Sequence, residues 1–281
     1  MRVVLDIFRL IRFFNCLLTM MAVWVGAYMT WGDPIYYGPL LASVAAFLVC
    51  ACGNCVNDLL DVEIDRVNYP HRVLAEGRLS KKFAVVVAVV CALGALIAAI
   101  SVNWSVTTVV GLALVMLIAY NFKLKRVPLL GNVIIAVLSG LTFITGGLAI
   151  NTAWTWELPG PLIPALFAVF LYLVREILKD VEGIDRDRRV GIRTFPQIIE
   201  PRSALATALV LFGVLVVLTI VPVLVGWFGS VYKIITVYII DLPLLALLIL
   251  IWGNPSPRML AIGTFGLKVG MVLGIVALVL A

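Results

Sequence analysis

Nine apolar runs, each near the length of a membrane-crossing helix, fix what this chain can become. About 20 consecutive apolar residues span a bilayer core, and runs of that size occupy roughly 10–31, 38–60, 83–101, 104–121, 129–151, 160–180, 203–226, 230–252 and 259–280. In lipid only helices and closed barrels satisfy their own backbone, and runs this long and continuous are helical rather than alternating. Hydrophobic residues make up 63% of the 281-residue chain, more than any soluble domain needs. The expectation is an all-α polytopic membrane protein, one domain over 1–281, with about nine transmembrane helices around a central cavity and polar loops capping one end.

The connections between the runs differ in charge. Gly32 to Pro39, Ser101 to Trp104, Asn151 to Pro161 and Gly226 to Tyr232 hold no Lys or Arg. Met1 to Arg9, Arg66 to Lys82, Lys123 to Arg126, Arg186 to Arg202 and Gly253 to Arg258 hold nearly all of them. The two sets alternate along nine spans. The positive-inside rule then puts the N-terminus and the basic loops in the cytoplasm of a cell-membrane protein. The net charge of +6 speaks to this topology, not to nucleic acid. The N-terminal run is too long for a signal-peptide core and is read as a retained first helix. The four residues from Ser101 to Trp104 predict a tight helical hairpin.

Five cysteines, Cys16, Cys50, Cys52, Cys55 and Cys91, all lie inside apolar runs. Cys52 and Cys55 have CxxC spacing, but with no second pair and no partner histidine they read as helix-packing residues rather than a metal or redox pair. Two charges fall deep in the apolar runs, Asp241 and Lys268. Such charges are costly in lipid and face a cavity or each other, so an Asp241–Lys268 pair is expected.

Chemistry concentrates in two acidic clusters at the basic ends of the runs. Asp58, Asp61 and Asp65 are spaced three and four apart, which puts their carboxylates on one helical face. Asp180, Glu182, Asp185 and Asp187 form the second cluster. Like charges so arranged call for a cation, and Mg²⁺ suits oxygen ligands while leaving sites for substrate phosphates. Arg and Lys are interleaved with the acids throughout, as expected where metal takes some phosphate oxygens and basic side chains the rest. The reading that follows is two clusters facing one cavity and sharing one diphosphate, with an apolar tail in the membrane behind it. Metal and basic side chains would stabilise departing pyrophosphate. Aromatic faces and a dry cavity would protect an allylic cation until an acceptor attacks. His71, the only histidine, is read as a loop residue without a proton role.

Asn57-Asp58-x-x-Asp61-x-x-x-Asp65 resembles the NDxxDxxxD signature of UbiA-type intramembrane prenyltransferases. Asn68-x-Pro70-x-Arg72 with Gly77 resembles that family's first loop, and Leu124 to Asn132 its loop between helices 4 and 5. Lys179 to Asp187 with Gly191 resembles its second Asp-rich motif, and Arg12 with Asn15 a polar pair early in helix 1. The resemblance covers the whole chain. It implies Mg²⁺ and a prenyl diphosphate donor, with Asn57, Asp61 and Asp65 on metal and diphosphate and Asp58 beside them at the metal in a supporting role. It implies Arg72, Lys125, Arg126, Asn15 and Lys179 on the diphosphate, and Tyr120 near the reacting carbon. One departure stands out. The second motif is commonly DxxxD, and aligning Asp187 and Gly191 puts Gly183 at the first Asp position. Asp187 and then Asp180, seven residues apart, are the expected metal ligands there, with Glu182 and Asp185 as alternatives.

Within the family, Arg175-Glu176-x-x-Lys179-Asp180 and Leu124 to Pro128 look most like archaeal digeranylgeranylglyceryl phosphate synthases. That implies geranylgeranyl transfer to geranylgeranylglyceryl phosphate in ether-lipid synthesis. Prenylation of an aromatic acceptor for quinone synthesis is the alternative. A transporter, whose site should lie near the midplane on broken helices, and another metal-dependent lipid-headgroup transferase are more remote. Membrane lipids are the expected surroundings, with no obligate protein partner.

Overall fold

A computed structural model describes residues 2–30, 37–189, 191 and 193–281. Every regular element among them is helical. In chain order these are α1 (Arg2–Leu10), α2 (Phe13–Tyr28), α3 (Tyr37–Leu60), α4 (Val62–Asn68), α5 (Lys81–Ile100), α6 (Trp104–Phe122), α7 (Leu130–Ile150) and α8 (Leu162–Glu182). Then come α9 (Ile184–Arg189), α10 (Phe195–Ile199), α11 (Pro201–Leu224), α12 (Ser230–Gly253) and α13 (Pro257–Val279).

Among the described residues, seven helices are long and apolar enough to cross a membrane: α3, α5, α6, α7, α11, α12 and α13. The first expected span is different from the straight helix anticipated over 10–31. It is a pair, α1 and α2, bent by 55°. The bend sits at Arg12, whose φ of 54° and ψ of 57° are left-handed. Such a conformation ends one helix and starts another, and a non-glycine residue holds it only when tertiary contacts insist. The far end of this span, at Trp31, lies outside the described residues. The sixth expected span falls on α8, long enough at 21 residues but carrying Arg175, Glu176, Lys179, Asp180 and Glu182 in its last turns. The nine-span expectation thus corresponds to seven apolar helices, one bent pair and one charged-ended helix.

The chain divides into two compact units, Met1–Leu124 with Leu141–Glu157, and Lys125–Gly140 with Leu158–Ala281. In the first, α3 packs against α2, α5 and α6. The hairpin of α5 and α6 is as expected, with the Asn103 side chain accepting from Val106 N at 2.9 Å as an N-cap. Two glycines set the α2–α7 contact. A Cβ on Gly26 would lie 1.9 Å from the Phe143 carbonyl oxygen, and one on Gly146 would lie 1.9 Å from that of Val23. Backbones this close need small residues, the usual currency of helix association in membranes. Cys52 and Cys55 are buried within α3, and all five cysteines are free thiols, so they pack rather than bridge.

In the second unit, α8 packs on α11 and α13 around Val174, Ile177, Leu178, Phe212 and Leu267. The expected Asp241–Lys268 pair does not form among the described residues. Asp241 is turned inward and 2% exposed, at the end of a wide-turn helical stretch, Ile234–Asp241. Its Oδ2 accepts from Thr219 Oγ1 at 2.7 Å, and Tyr232 Oη donates to the Thr219 carbonyl at 3.2 Å. Lys268 lies on the exposed face of α13. Sequence fixes the depth of each charge but not the rotation of its helix, and the two point apart. The Thr219 hydroxyl is the donor that makes a buried carboxyl tolerable. Thr219→Val keeps the shape and removes the donor, so it should cost about 1–3 kcal/mol, read as a lower melting temperature in detergent that Thr219→Ser does not show. An unchanged melt for the valine variant would refute that account.

Candidate functional site

The first unit gathers one set of the candidate residues. The backbone runs on helically, with Asp61 N donating to the Asn57 carbonyl and Asp65 N to the Asp61 carbonyl, although α3 ends at Leu60 and α4 begins at Val62. The three-and-four spacing therefore survives the joint. Asp58 and Asp65 are buried, 5% and 3% exposed, and Arg72 reaches both, at 3.5 Å to Asp58 Oδ1 and 2.6 Å to Asp65 Oδ2. Pro70 makes that return possible. The residue before a proline avoids the helical region, and Tyr69 has φ −143° and ψ 61°, ending α4 and turning the chain back. The Arg72 guanidinium also lies over the Tyr69 ring, 4.5 Å from its centroid.

A second arginine arrives from the bend. The left-handed Arg12 sends its Nη2 to Asp58 Oδ1 at 2.7 Å and to Asn57 Oδ1 at 3.2 Å. Asn54 Nδ2 donates to the Ile11 carbonyl at 2.8 Å and ties the bend to α3. Asn57 Nδ2 donates to Asp61 Oδ2 at 3.2 Å and to Asn121 Oδ1 at 3.1 Å. Asn121, buried on α6 beside Tyr120, is a member of this network that sequence reasoning missed. The loop beyond is anchored by Arg78, which meets Asp6 of α1 at 2.6 Å after a turn at Gly77, whose φ of +79° favours glycine. Asn15 lies one turn past the bend on an exposed face, and its side chain makes no hydrogen bond among the described residues. His71 is exposed in the loop.

The second unit holds the other set. Lys125 and Arg126 form one short helical turn before α7. Asp180 Oδ2 accepts from Asn132 Nδ2 of α7 at 2.9 Å, a second contact the sequence did not announce. Glu176 is buried and held by Arg175 at 2.7 Å and Lys179 at 3.0 Å. Glu182 Oε2 accepts from Thr264 Oγ1 of α13 at 3.2 Å, and Asp185 is exposed. Asp187 stands on α9 just past Gly183.

Burial dominates the electrostatics of both sets. Burial pushes the Asp65 carboxyl above the usual carboxylate range, against the pull of the Arg72 hydrogen bond. Burial does the same to Asp187, against the charges of Arg186 and Lys179. Among the described residues no group of three or more His, Cys, Asp or Glu could cage a metal by itself. Mg²⁺ does not need one, since it binds through one or two carboxylates together with water and substrate phosphates. The donors present are carboxylate and amide oxygens, which fit that ion and not a thiol- or imidazole-seeking metal.

A model of the UbiA prenyltransferase family matches residues 17–280. The chain belongs to the UbiA prenyltransferase family. It is a multi-pass membrane protein of an enzyme family that transfers prenyl groups. A digeranylgeranylglyceryl phosphate synthase of Methanopyrus kandleri is 35% identical over 95% of this chain and 96% of its own. Other archaeal proteins of the same name range from 30% to 36% identity. A solved structure of digeranylgeranylglyceryl phosphate synthase in membranes superposes with a TM-score of 0.78 at 27% identity, covering 99% of this chain and 98% of that one. A UbiA homologue from Archaeoglobus fulgidus, solved with GPP and Mg²⁺, shares the fold at a TM-score of 0.68 and 19% identity over 98% of this chain and 99% of that one.

Proposed function

We propose that this chain, acting as one domain, transfers a geranylgeranyl group from geranylgeranyl diphosphate to the free hydroxyl of geranylgeranylglyceryl phosphate, releasing diphosphate, in archaeal ether-lipid synthesis. The observation that carries the reading is the 35% identity to a digeranylgeranylglyceryl phosphate synthase along nearly the full length of both chains. The N-terminus and the basic loops face the cytoplasm, by the charge alternation of the loops.

In this reading Asp61, Asp65 and Asn57 of the first motif and Asp187 with Asp180 of the second hold Mg²⁺. The ion supplies Lewis-acid stabilisation of the leaving diphosphate. Arg72, Lys125, Arg126 and Lys179 take phosphate oxygens, for which a guanidinium fork is well matched, and Asn15 borders the same group. Arg72 already spans two carboxylates, so it stands where an anion and its counterions would exchange partners. Asp58, gripped by Arg12 and Arg72, orients those arginines rather than meeting substrate. Tyr120 presents a ring toward the reacting carbon as the C1–O bond of the donor breaks and the electron pair leaves with diphosphate. The acceptor oxygen forms the new C–O bond and its hydroxyl proton is released.

The deciding measurement is transfer of radiolabel from geranylgeranyl diphosphate by the full chain in detergent. It is run with and without Mg²⁺, against geranylgeranylglyceryl phosphate and 4-hydroxybenzoate. Mg²⁺-dependent label in the glyceryl lipid is expected. Label only in the aromatic acid would overturn the ether-lipid reading in favour of quinone synthesis.

A further inference from the structure

Position 183 carries glycine where the second motif leads one to expect a carboxylate, and the surrounding geometry shows what takes its place. A Cβ at Gly183 would lie 3.0 Å from Arg186 Nη2 and 3.4 Å from Asp187 Oδ2. A side chain there would stand beside the Asp187 carboxylate. In this chain the Arg186 guanidinium covers the bare Cα instead.

Four acids near the α8–α9 junction are possible substitutes, and three separate by what they touch. Glu182 faces α13 and accepts from Thr264. Asp185 is exposed. Glu176, one turn before Asp180, is held by Arg175 and Lys179. Asp180 remains. Among the described residues neither it nor Asp187 has an ion-pair partner, and the only hydrogen bond to the Asp180 carboxylate comes from the neutral amide of Asn132, at 2.9 Å to Oδ2. A carboxylate has two acceptor oxygens, so that bond fixes the plane of the group and leaves Oδ1 for a ligand. An amide donor orients a carboxylate without neutralising it, which is the arrangement that keeps its charge for an external cation.

We infer that Asn132 is a positioning residue that turns Asp180 into the second metal ligand of this motif, standing in for the carboxylate absent at Gly183. This rests on the Mg²⁺-dependent donor reading given above. The charge missing from position 183 is thereby supplied three residues earlier on α8, one helical turn back.

The test measures binding of an unreactive donor, geranylgeranyl S-thiolodiphosphate, to the full chain in detergent by calorimetry across a Mg²⁺ titration. Wild-type binding should depend on Mg²⁺. Asp180→Ala should raise the half-saturating Mg²⁺ concentration by about a hundredfold and Asn132→Ala by about tenfold, the size of outer-sphere effects on metal affinity. For Asn132→Ala, saturating Mg²⁺ should restore kcat, which a mere packing defect would not allow. Gly183→Asp in the Asp180→Ala background should recover most of the lost affinity, its Cβ meeting the flexible end of Arg186 at 3.0 Å and the Lys179 carbonyl oxygen at 3.2 Å, a gap that a shift of a few tenths of an ångström relieves. A wild-type Mg²⁺ curve for Asp180→Ala would overturn the inference. So would failure of the double variant to recover while its melt shows it folded. If that double variant does not fold, the Mg²⁺ curve of Asp180→Asn decides alone. Mg²⁺-independent donor binding by the wild type would instead remove the underlying functional reading.

Discussion

Asp61→Ala is expected to reduce transfer by at least a hundredfold to a thousandfold, the scale on which a single electrostatic contributor to a transition state acts, while the protein still folds. The three aspartates are held differently. Asp58 is bound by Arg12 at 2.7 Å and Arg72 at 3.5 Å, and Asp65 by Arg72 at 2.6 Å. Among its contacts, Asp61 accepts from Asn57 Nδ2 at 3.2 Å, and Arg12 and Arg72 keep Asp58 and Asp65 as partners without it. Removing Asp61 therefore deprives the proposed Mg²⁺ of a ligand without orphaning either of those arginines. Removing Asp58 does the reverse. It leaves Arg12 and Arg72 without a carboxylate they share, so Asp58→Ala should lower the melting temperature as well as activity. Paired melts and radiolabel assays separate the two patterns. Full activity in Asp61→Ala would remove the first-motif assignment, and an unchanged melt in Asp58→Ala would remove its supporting role.

Gly146→Ala should damage folding more than almost any other methyl group that can be added to the chain. Its new Cβ would stand 1.9 Å from the Val23 carbonyl oxygen and 2.7 Å from Ala27 N. Gly26→Ala should do the same from the other side, 1.9 Å from the Phe143 carbonyl oxygen. Overpacking costs about 1–3 kcal/mol, and more where neighbours cannot yield. Here the obstruction is main chain on both helices, so the upper end or beyond is expected. Gly111 and Gly213 are the controls, with nothing within 4 Å of an added Cβ. There alanine should be neutral or stabilise by up to about 1 kcal/mol through helix propensity. Melting of the purified variants in detergent reads both. Equal melts across the four would show that the α2–α7 approach is not what holds these helices together.

Much of this architecture was legible because it rests on averages over many residues. Hydropathy over a whole run and the alternation of basic loops survive local errors, and the α5–α6 hairpin and the all-helical class followed from them, whereas the family followed from the spaced motifs. The bend at Arg12 was not legible, because a left-handed arginine is imposed by partners distant in sequence, Asn57 and Asp58 among them. The expected Asp241–Lys268 pair failed for a related reason, since a run of apolar residues reports depth and says little about which way a helix is rotated. The acidic motifs stood out by spacing, whereas Asn121 is an isolated amide with no spacing to notice, and Asn132, though it closes a recognisable loop, gives no sign in sequence of its partner Asp180. Gly183 was visible as a gap in the second motif, but which acid stands nearest to filling it depended on the hydrogen bond from Asn132.

The two arginines over the first motif have a consequence for how this protein is made. Arg12 and Arg72 act as internal counterions, so three neighbouring carboxylates are brought together with their charge already balanced in large part. Small metallo-domains such as zinc fingers collapse only when their ion arrives. This chain does not share that dependence in its first unit. Its carboxylate cluster can assemble during membrane insertion whatever the local supply of divalent ions. The proposed Mg²⁺ would then belong to the reaction cycle, arriving and departing with the phosphates, and not to the architecture.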